Sequence, residues 1–315
     1  MTEVTLVNNS FKFACPICQS PLEIVSSDEQ RCPRDRTIYR CVDGIWRCLR
    51  PDRVASLEQF IHEYETIRQA EGRGSADPAY YRQLPFADLS KRFSNDWKIR
   101  AASYRSLVAH LIAPLESARR PLKILDLGAG NGWLSYQLAK RGHTVAAIDL
   151  LTNANDGLGA HVHYDVSFTP IQSEFDLLPL VDQQADLVIF NSSFHYSPRY
   201  ETTLAEALRV VNETGDVVII DTPIYSNASS GAQMAAERHA QFQSKYGFPS
   251  NSIASENFLT YQRLNELSLN LGIDWQTRKP FRGWRWAMRP WWARVRGRRE
   301  PAEFLLISGK RKRAL

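Results

Sequence analysis

Three groups of residues in this sequence have types and spacings suited to chemistry. In the first, Gly128, Gly130 and Gly132 follow an apolar run, Leu122 to Leu127, and a second apolar run, Thr144 to Ile148, ends in Asp149. Glycines at Gly128 and Gly130 let a backbone turn sharply and come close to a bound group, while Gly132 lets a helix start tight against a sheet. Asp149 stands 21 residues after Gly128, where a carboxylate at a strand tip accepts both hydroxyls of a ribose. The second group is Asn191, His195 and Tyr196, just past the apolar run Asp186 to Phe190. His195 is the natural general-base candidate because an imidazole titrates near neutrality, and Tyr196 is the weaker catalytic candidate. The third group is Cys15, Cys18, Cys32 and Asp35, two knuckle outlines separated by 13 residues. Such knuckles can gather four ligands around one tetrahedral zinc. Asp35 is the expected fourth ligand, Cys41 is the alternative, and Cys48 reads as a buried core thiol.

Positioning the first group requires a strand, a glycine loop, a helix and a second strand. Trp133, Leu134, Tyr136, Leu138 and Ala139 supply the helical pattern, and Arg141-Gly142 stops it. The return is a right-handed parallel crossover, so the fold class is α/β and doubly wound. The glycines are spaced G-x-G-x-G, not G-x-G-x-x-G as in the dinucleotide fingerprint. Asp126 puts a negative charge inside the turn, which repels a pyrophosphate and tolerates a cationic sulfonium bearing a free amine.

Asp126, Gly128, Gly130 and Gly132 resemble motif I of the class I S-adenosylmethionine-dependent methyltransferases (type 11-like domain). The resemblance runs from about Leu122 to Ser226 and picks up the last strand near Phe304. It implies a Rossmann-like, doubly wound seven-stranded sheet with an antiparallel last strand, and S-adenosyl-L-methionine as methyl donor. The cofactor contacts it implies are Asp126, Gly128, Ala129, Gly130, Gly132, Asp149, Leu150, Glu174, Phe175 and Asn191. Glu174-Phe175 is the acid–apolar pair expected at the adenine, ahead of Asp165-Val166 and then Asp176. In related sequences a histidine at the place of His195 shapes the pocket, so a base and a pocket wall are both open readings. The segment before motif I often lids the cofactor, which makes Tyr80 or Tyr81 a cover or a packing residue. Arg100 and Tyr104, one turn apart, share a helix face that would reach the methionine carboxylate. The first 50 residues resemble the zinc-ribbon segments preceding some methyltransferase domains, including bacterial ribosomal RNA guanine methyltransferases. That family has histidine as the fourth ligand, and none occurs here before His62.

A chain of 315 residues accommodates one large domain and an accessory module. The expected division is a ribbon-like module at 1–50, a helical linker or lid at 51–118, and the methyltransferase domain at 119–315. An insertion is expected at about 226–256, roofing the acceptor. No apolar run approaches the roughly 20 residues of a membrane span. Residues 1–13 do not read as a signal peptide, and four of five cysteines fall between positions 15 and 41. A cytoplasmic protein, or one peripheral at a membrane, is the expectation, with cysteines serving metal rather than disulfides.

The net charge of +5 is unevenly placed: residues 278–299 hold nine Lys/Arg and residues 310–313 four, leaving 26 basic against 34 acidic side chains elsewhere. The arm at about 281–301 alternates arginine with tryptophan and is interrupted by Pro290. Three readings stand: an anionic membrane surface, RNA, or tryptophans packed onto the domain or a second subunit. Together these features predict in-line methyl transfer to a small-molecule or lipid-like acceptor. Methylation of a ribosomal or transfer RNA base is the alternative, and a non-catalytic cofactor-binding scaffold is a further one.

Overall fold

A computed structural model describes residues 10–118 and 121–312; residues 1–9 of the N-terminal stretch and Arg313 of the last basic run lie outside it. The ribbon segment contributes β1 (Glu23–Ile24), β2 (Glu29–Arg31), β3 (Ile38–Val42) and β4 (Ile45–Arg47). Helices α1 (Pro51–Ala70), α2 (Pro78–Gln83) and α3 (Ser94–Leu107) follow, and a π-helical turn, Val108–Ile112, leads into α4 (Ala113–Ala118). Strands and helices then alternate: β5 (Lys123–Leu127), α5 (Trp133–Lys140), β6 (Thr144–Asp149), β7 (Thr169–Gln172), β8 (Ala185–Asn191), α6 (Tyr200–Val210) and β9 (Val211–Tyr225). The chain closes with α7 (Ala228–Tyr246), β10 (Leu259–Thr260), α8 (Tyr261–Leu271), β11 (Ile273–Arg278), the short α9 (Trp284–Ala287) and α10 (Arg289–Val295), and β12 (Glu303–Arg311).

The central strands lie in the order β7-β6-β5-β8-β9-β12-β11, all parallel but for β12, which runs antiparallel to both its neighbours. This is the doubly wound, Rossmann-like sheet with an antiparallel last strand. β8 is buried at every position and β5 at all but Lys123, as expected of parallel strands covered on both faces. The strand order reverses between β5 and β8, so their C-terminal ends open a crevice at the switch point. Near Asn212 to Gly215 β9 carries a bulge: the register with β8 jumps between Ala185 and Leu187, and Asn212 Nδ2 donates to Asp186 Oδ1 at 2.8 Å.

The ribbon is not a free-standing unit. β4 pairs in parallel with β7, extending the sheet through the ribbon hairpins, and Cys48 N–H donates to Gln172 O at 3.0 Å. Phe13, Cys15, Cys32, Tyr39 and Cys48 share one apolar core with Leu125, Ile148 and Ile171. The physical reason is that β7 would otherwise be an exposed edge with unpaired backbone groups.

The arginine–tryptophan arm is tied down at its start and displayed along its middle. Arg282 donates to Asp221 Oδ1 at 2.8 Å, to Ser103 Oγ at 2.7 Å and to Phe304 O at 2.7 Å. The two charged side chains are only 2% and 6% exposed. Trp286 packs against Phe304 at 6.0 Å between ring centroids, whereas Trp284, Trp291 and Trp292 are exposed, so the reading in which the tryptophans pack onto the domain holds for Trp286 and is corrected for the other three. Removing one partner of a buried ion pair leaves an uncompensated charge. Arg282→Met is therefore expected to cost about 3 kcal/mol in urea unfolding. The double variant with Asp221→Asn should lose less than the sum of the two single variants.

Candidate active site

At the C-terminal ends of β5, β6 and β8 lies a cavity of about 390 Å³, within the size range of small-ligand sites. The loop after β5 forms one wall. Gly128 has φ +75°, and an added Cβ would lie 2.3 Å from Ser193 Cβ, so only glycine lets the β5 and β8 loops meet. Ser193 Oγ closes that junction by donating to Leu127 O. Gly132 has φ +79° and is covered by the Phe168 ring, starting α5 close to the sheet. Gly130, by contrast, looks into the cavity, its nearest neighbour Asp156 O at 3.6 Å.

Asp149 fixes the second wall. Its Oδ2 accepts from Gly130 N–H and its Oδ1 from Leu151 N–H, both at 2.8 Å, while the residue lines the cavity beside Ala129 and Leu150. Burial raises its carboxyl above the usual range. Asp126 is elsewhere. It is fully buried, does not line the cavity, and its Oδ2 accepts from Ser135 Oγ at 2.8 Å. The expectation that its charge meets the ligand is corrected: it pins α5 to β5 behind the loop, and burial pushes it up to about 7.

The acid–apolar pair Glu174-Phe175 faces the cavity, but Glu174 is already engaged by Arg53, with Nη2 to Oε1 at 2.8 Å. Asp176 also lines the cavity and accepts from Thr203 Oγ1. Asp165 is exposed, away from the cavity, and accepts from Tyr136 Oη at 2.8 Å. Asn191 lines the cavity at the end of β8, and its buried Oδ1 has no partner among the described residues.

The two catalytic candidates separate. Tyr196 lines the cavity, with its ring edge-on to Phe60 and Tyr64. His195 does not line it; burial, then the charges of Arg238 and Arg100, push its imidazole down to about 3. A ring held neutral and out of the cavity is not placed to take a substrate proton.

The roof is α1, not the Tyr80-Tyr81 segment. Tyr80 and Tyr81 are buried outside the cavity, and Tyr81 Oη donates to Asn155 O at 2.7 Å. Leu57, Phe60 and Tyr64 of α1 face the cavity, and α1 is held by Arg53–Glu174, Glu65–Asn153 at 2.9 Å, Glu63–Ser252 at 2.8 Å and Arg68–Asp156. The four-residue spacing of Phe60 and Tyr64 was the available signal for this role. Of the pair on α3, Arg100 reaches the cavity while Tyr104 packs edge-on against Trp133 and Phe86. Arg100 lies over the Trp97 ring at 4.9 Å and has no carboxylate partner among the described residues. From the insertion, Ser252, Ile253 and Ala254 reach the cavity wall. The crevice thus offers hydroxyl acceptors, an apolar slot, and, among the described residues, an unpartnered amide oxygen and a guanidinium without a carboxylate partner, a set that fits an adenosine carrying an amino-acid tail.

In the ribbon, the ligand atoms of Cys15, Cys18, Cys32 and Asp35 lie within 4.8 Å of one another. Cys18 Sγ is 3.4 Å from Cys32 Sγ, and backbone N–H groups of Ile17 and Asp35 point at Cys15 and Cys32 sulfurs at 3.4 and 3.5 Å. Such N–H to sulfur contacts support thiolates, and the set fits a tetrahedral ion. Cys41 stands outside it, on β3 opposite Trp46.

Residues 125–219 match the family model described as a methyltransferase domain. The chain is 33% identical over 162 residues to a sarcosine/dimethylglycine N-methyltransferase of Halorhodospira halochloris, covering 50% of this chain and 58% of that protein. It is 30% identical over 131 residues to a malonyl-[acyl-carrier protein] O-methyltransferase of Geobacter sulfurreducens, covering 39% and 48%. The alignments therefore span about half the length of these curated relatives. A solved structure of a proposed sarcosine dimethylglycine methyltransferase from Galdieria sulphuraria shares the fold at 16% identity and TM-score 0.51, covering 82% of this chain and 98% of that one.

The raised carboxyl of Asp126 has a measurable sign. Its folded-state value, about 7, lies above the unfolded value, so its contribution to stability is complete below about pH 4 and is lost as pH rises toward 7. Asp126→Asn keeps an acceptor for Ser135, so urea unfolding should show a smaller loss of stability between pH 5 and pH 8 than the parent.

Proposed function

We propose that this chain, which carries a methyltransferase domain of the S-adenosylmethionine-dependent class, moves the donor's sulfonium methyl to a small-molecule or lipid-like acceptor held under α1. The observation that carries this reading is the Asp149 carboxylate, lining the cavity while it ties the glycine loop to the β6 loop. When bound, S-adenosyl-L-methionine supplies an activated methyl on a positively charged sulfur. In our assignment Asp149 takes the ribose hydroxyls, Phe175 and Leu150 flank the adenine, Gly128 to Gly130 give room to the amino-acid tail, and Arg100 faces its carboxylate.

The protein's own contribution is alignment and exclusion of water. Phe60, Tyr64 and Tyr196 form an aromatic wall over the far side of the cavity, and Asn191 Oδ1 offers an unused acceptor beside it. His195 serves as packing behind Tyr196, its ring centroid 4.4 Å from the tyrosine's, which leaves Tyr196 as the one of the two catalytic candidates that lines the cavity. The roof of α1 and residues 252–254 favours an acceptor small enough to sit beneath it over a base within a folded RNA. One curated relative is named for the small amines sarcosine and dimethylglycine, which supports the same choice; the other is named for a malonyl group on an acyl-carrier protein. For the ribbon we propose a structural zinc on Cys15, Cys18, Cys32 and Asp35.

Calorimetry with S-adenosylhomocysteine tests the cofactor assignment. Because hydrogen bonds to a charged group contribute about 1.5–3 kcal/mol each, Asp149→Ala is expected to weaken binding at least tenfold. Absence of binding by the parent protein would remove the reading, and binding without turnover on any labelled-methyl acceptor would favour the scaffold alternative. Metal analysis should find one zinc per chain, lost in Cys18→Ser and retained in Cys41→Ser.

A further inference from the structure

Between β11 and β12 the chain carries no acidic residue from Trp275 to Arg299. Both ends of this stretch are fastened to the body by ion pairs: Lys279 to Glu303 at 2.7 Å, Arg282 to Asp221 at 2.8 Å, and Arg299 to Glu237 at 2.9 Å. The middle is displayed. Trp284 is 79% exposed, Trp291 52% and Trp292 48%, and Phe281, Met288 and Val295 are exposed with them. Arg289, Arg294, Arg296 and Arg298 have no carboxylate partner among the described residues; Arg289 and Arg296 lie over Trp286 and Trp292 at 3.9 and 5.5 Å.

A surface that displays three indoles, and four guanidiniums without a carboxylate partner among the described residues, fits a partner supplying hydrocarbon and negative charge together. We propose that residues 281–298 dock on the anionic face of a lipid bilayer, with indoles at headgroup depth and arginines on the acidic headgroups. Two features favour this occupant over a nucleic acid. Met288 and Val295 offer nothing for a base to stack on. The Trp291 and Trp292 rings meet at 73°, not as parallel platforms. A second copy of the chain would bring unpaired cations against unpaired cations. The ion pairs at both ends keep the exposed middle at one place on the body, flanked by α7 through Gln233 and Glu237.

The test is co-sedimentation of the full chain with phosphatidylcholine vesicles, with and without phosphatidylglycerol, alongside a gel shift on a structured RNA. The parent should bind the phosphatidylglycerol vesicles and neither the neutral vesicles nor the RNA, with a blue shift of tryptophan emission. Trp291→Ala with Trp292→Ala should reduce partitioning at least tenfold. Each of Arg294→Gln, Arg296→Gln and Arg298→Gln should reduce it about fivefold, the equivalent of ~1 kcal/mol per cation near an anionic surface. These positions are exposed, so the variants should keep the parent's thermal melt, and the single arginine variants serve should the tryptophan pair perturb it. Failure to bind phosphatidylglycerol vesicles, equal binding to neutral ones, a shift of RNA, or a dimer abolished by the tryptophan variant would each overturn the proposal.

Discussion

Two strands that end side by side do not by themselves make a binding crevice; their loops must be held at a fixed separation. Here one carboxylate does this. Asp149 accepts an N–H from the loop after β5 and another from its own loop, so the glycine turn and the β6 tip move as one body. The Gly128–Ser193 contact adds the end of β8 to the same assembly, where a single methyl group would force the loops apart. Two N–H donors stabilise a carboxylate that burial would otherwise favour in its neutral form. The wall of the crevice is therefore built before any ligand enters, which is the condition for catalysis by alignment.

The roof depends on the N-terminal segment in a less local way. β4 pairs with β7 and carries the sheet on into the ribbon hairpins, and the chain passes from Cys48 straight into α1 at Pro51. The ribbon thus sets the height at which α1 crosses the cavity. Arg53–Glu174 near its start and Arg68–Asp156 near its end hold it down. The Cys15, Cys18, Cys32 and Asp35 cluster, the strand beside β7 and the roof belong to one continuous stretch, which gives the accessory segment a mechanical role in the site.

Much of this was legible in the residues. Buried parallel strands such as β5 and β8 are apolar runs, and the spacing of Gly128, Gly130, Gly132 and Asp149 follows from local geometry within one crossover unit. The seven-stranded sheet with its antiparallel last strand came from the family resemblance, and no local pattern of runs encodes it. What escaped was set by contacts distant in sequence. Whether Asp126 faces a ligand or Ser135 depends on which side of a loop its side chain falls, and the pattern of residues is the same for both. His195 stands one residue from Tyr196, yet only Tyr196 meets the cavity. The choice of α1 over Tyr80-Tyr81 as roof was equally hidden, because an aromatic pair on an amphipathic helix looks alike whether it covers a core or a crevice. The pairing of β4 with β7 joins segments more than a hundred residues apart, which no local periodicity encodes.

Inside the cavity the charged groups are largely answered by the protein itself: Glu174 by Arg53, Asp156 by Arg68, and Asp149 by backbone amides. Mobile counterions have little left to screen there, whereas the arm's guanidiniums lie open to them. Ionic strength therefore separates the two halves of the molecule's behaviour. Occupancy of the crevice should hardly depend on it, and whatever the arm grips should let go as it rises.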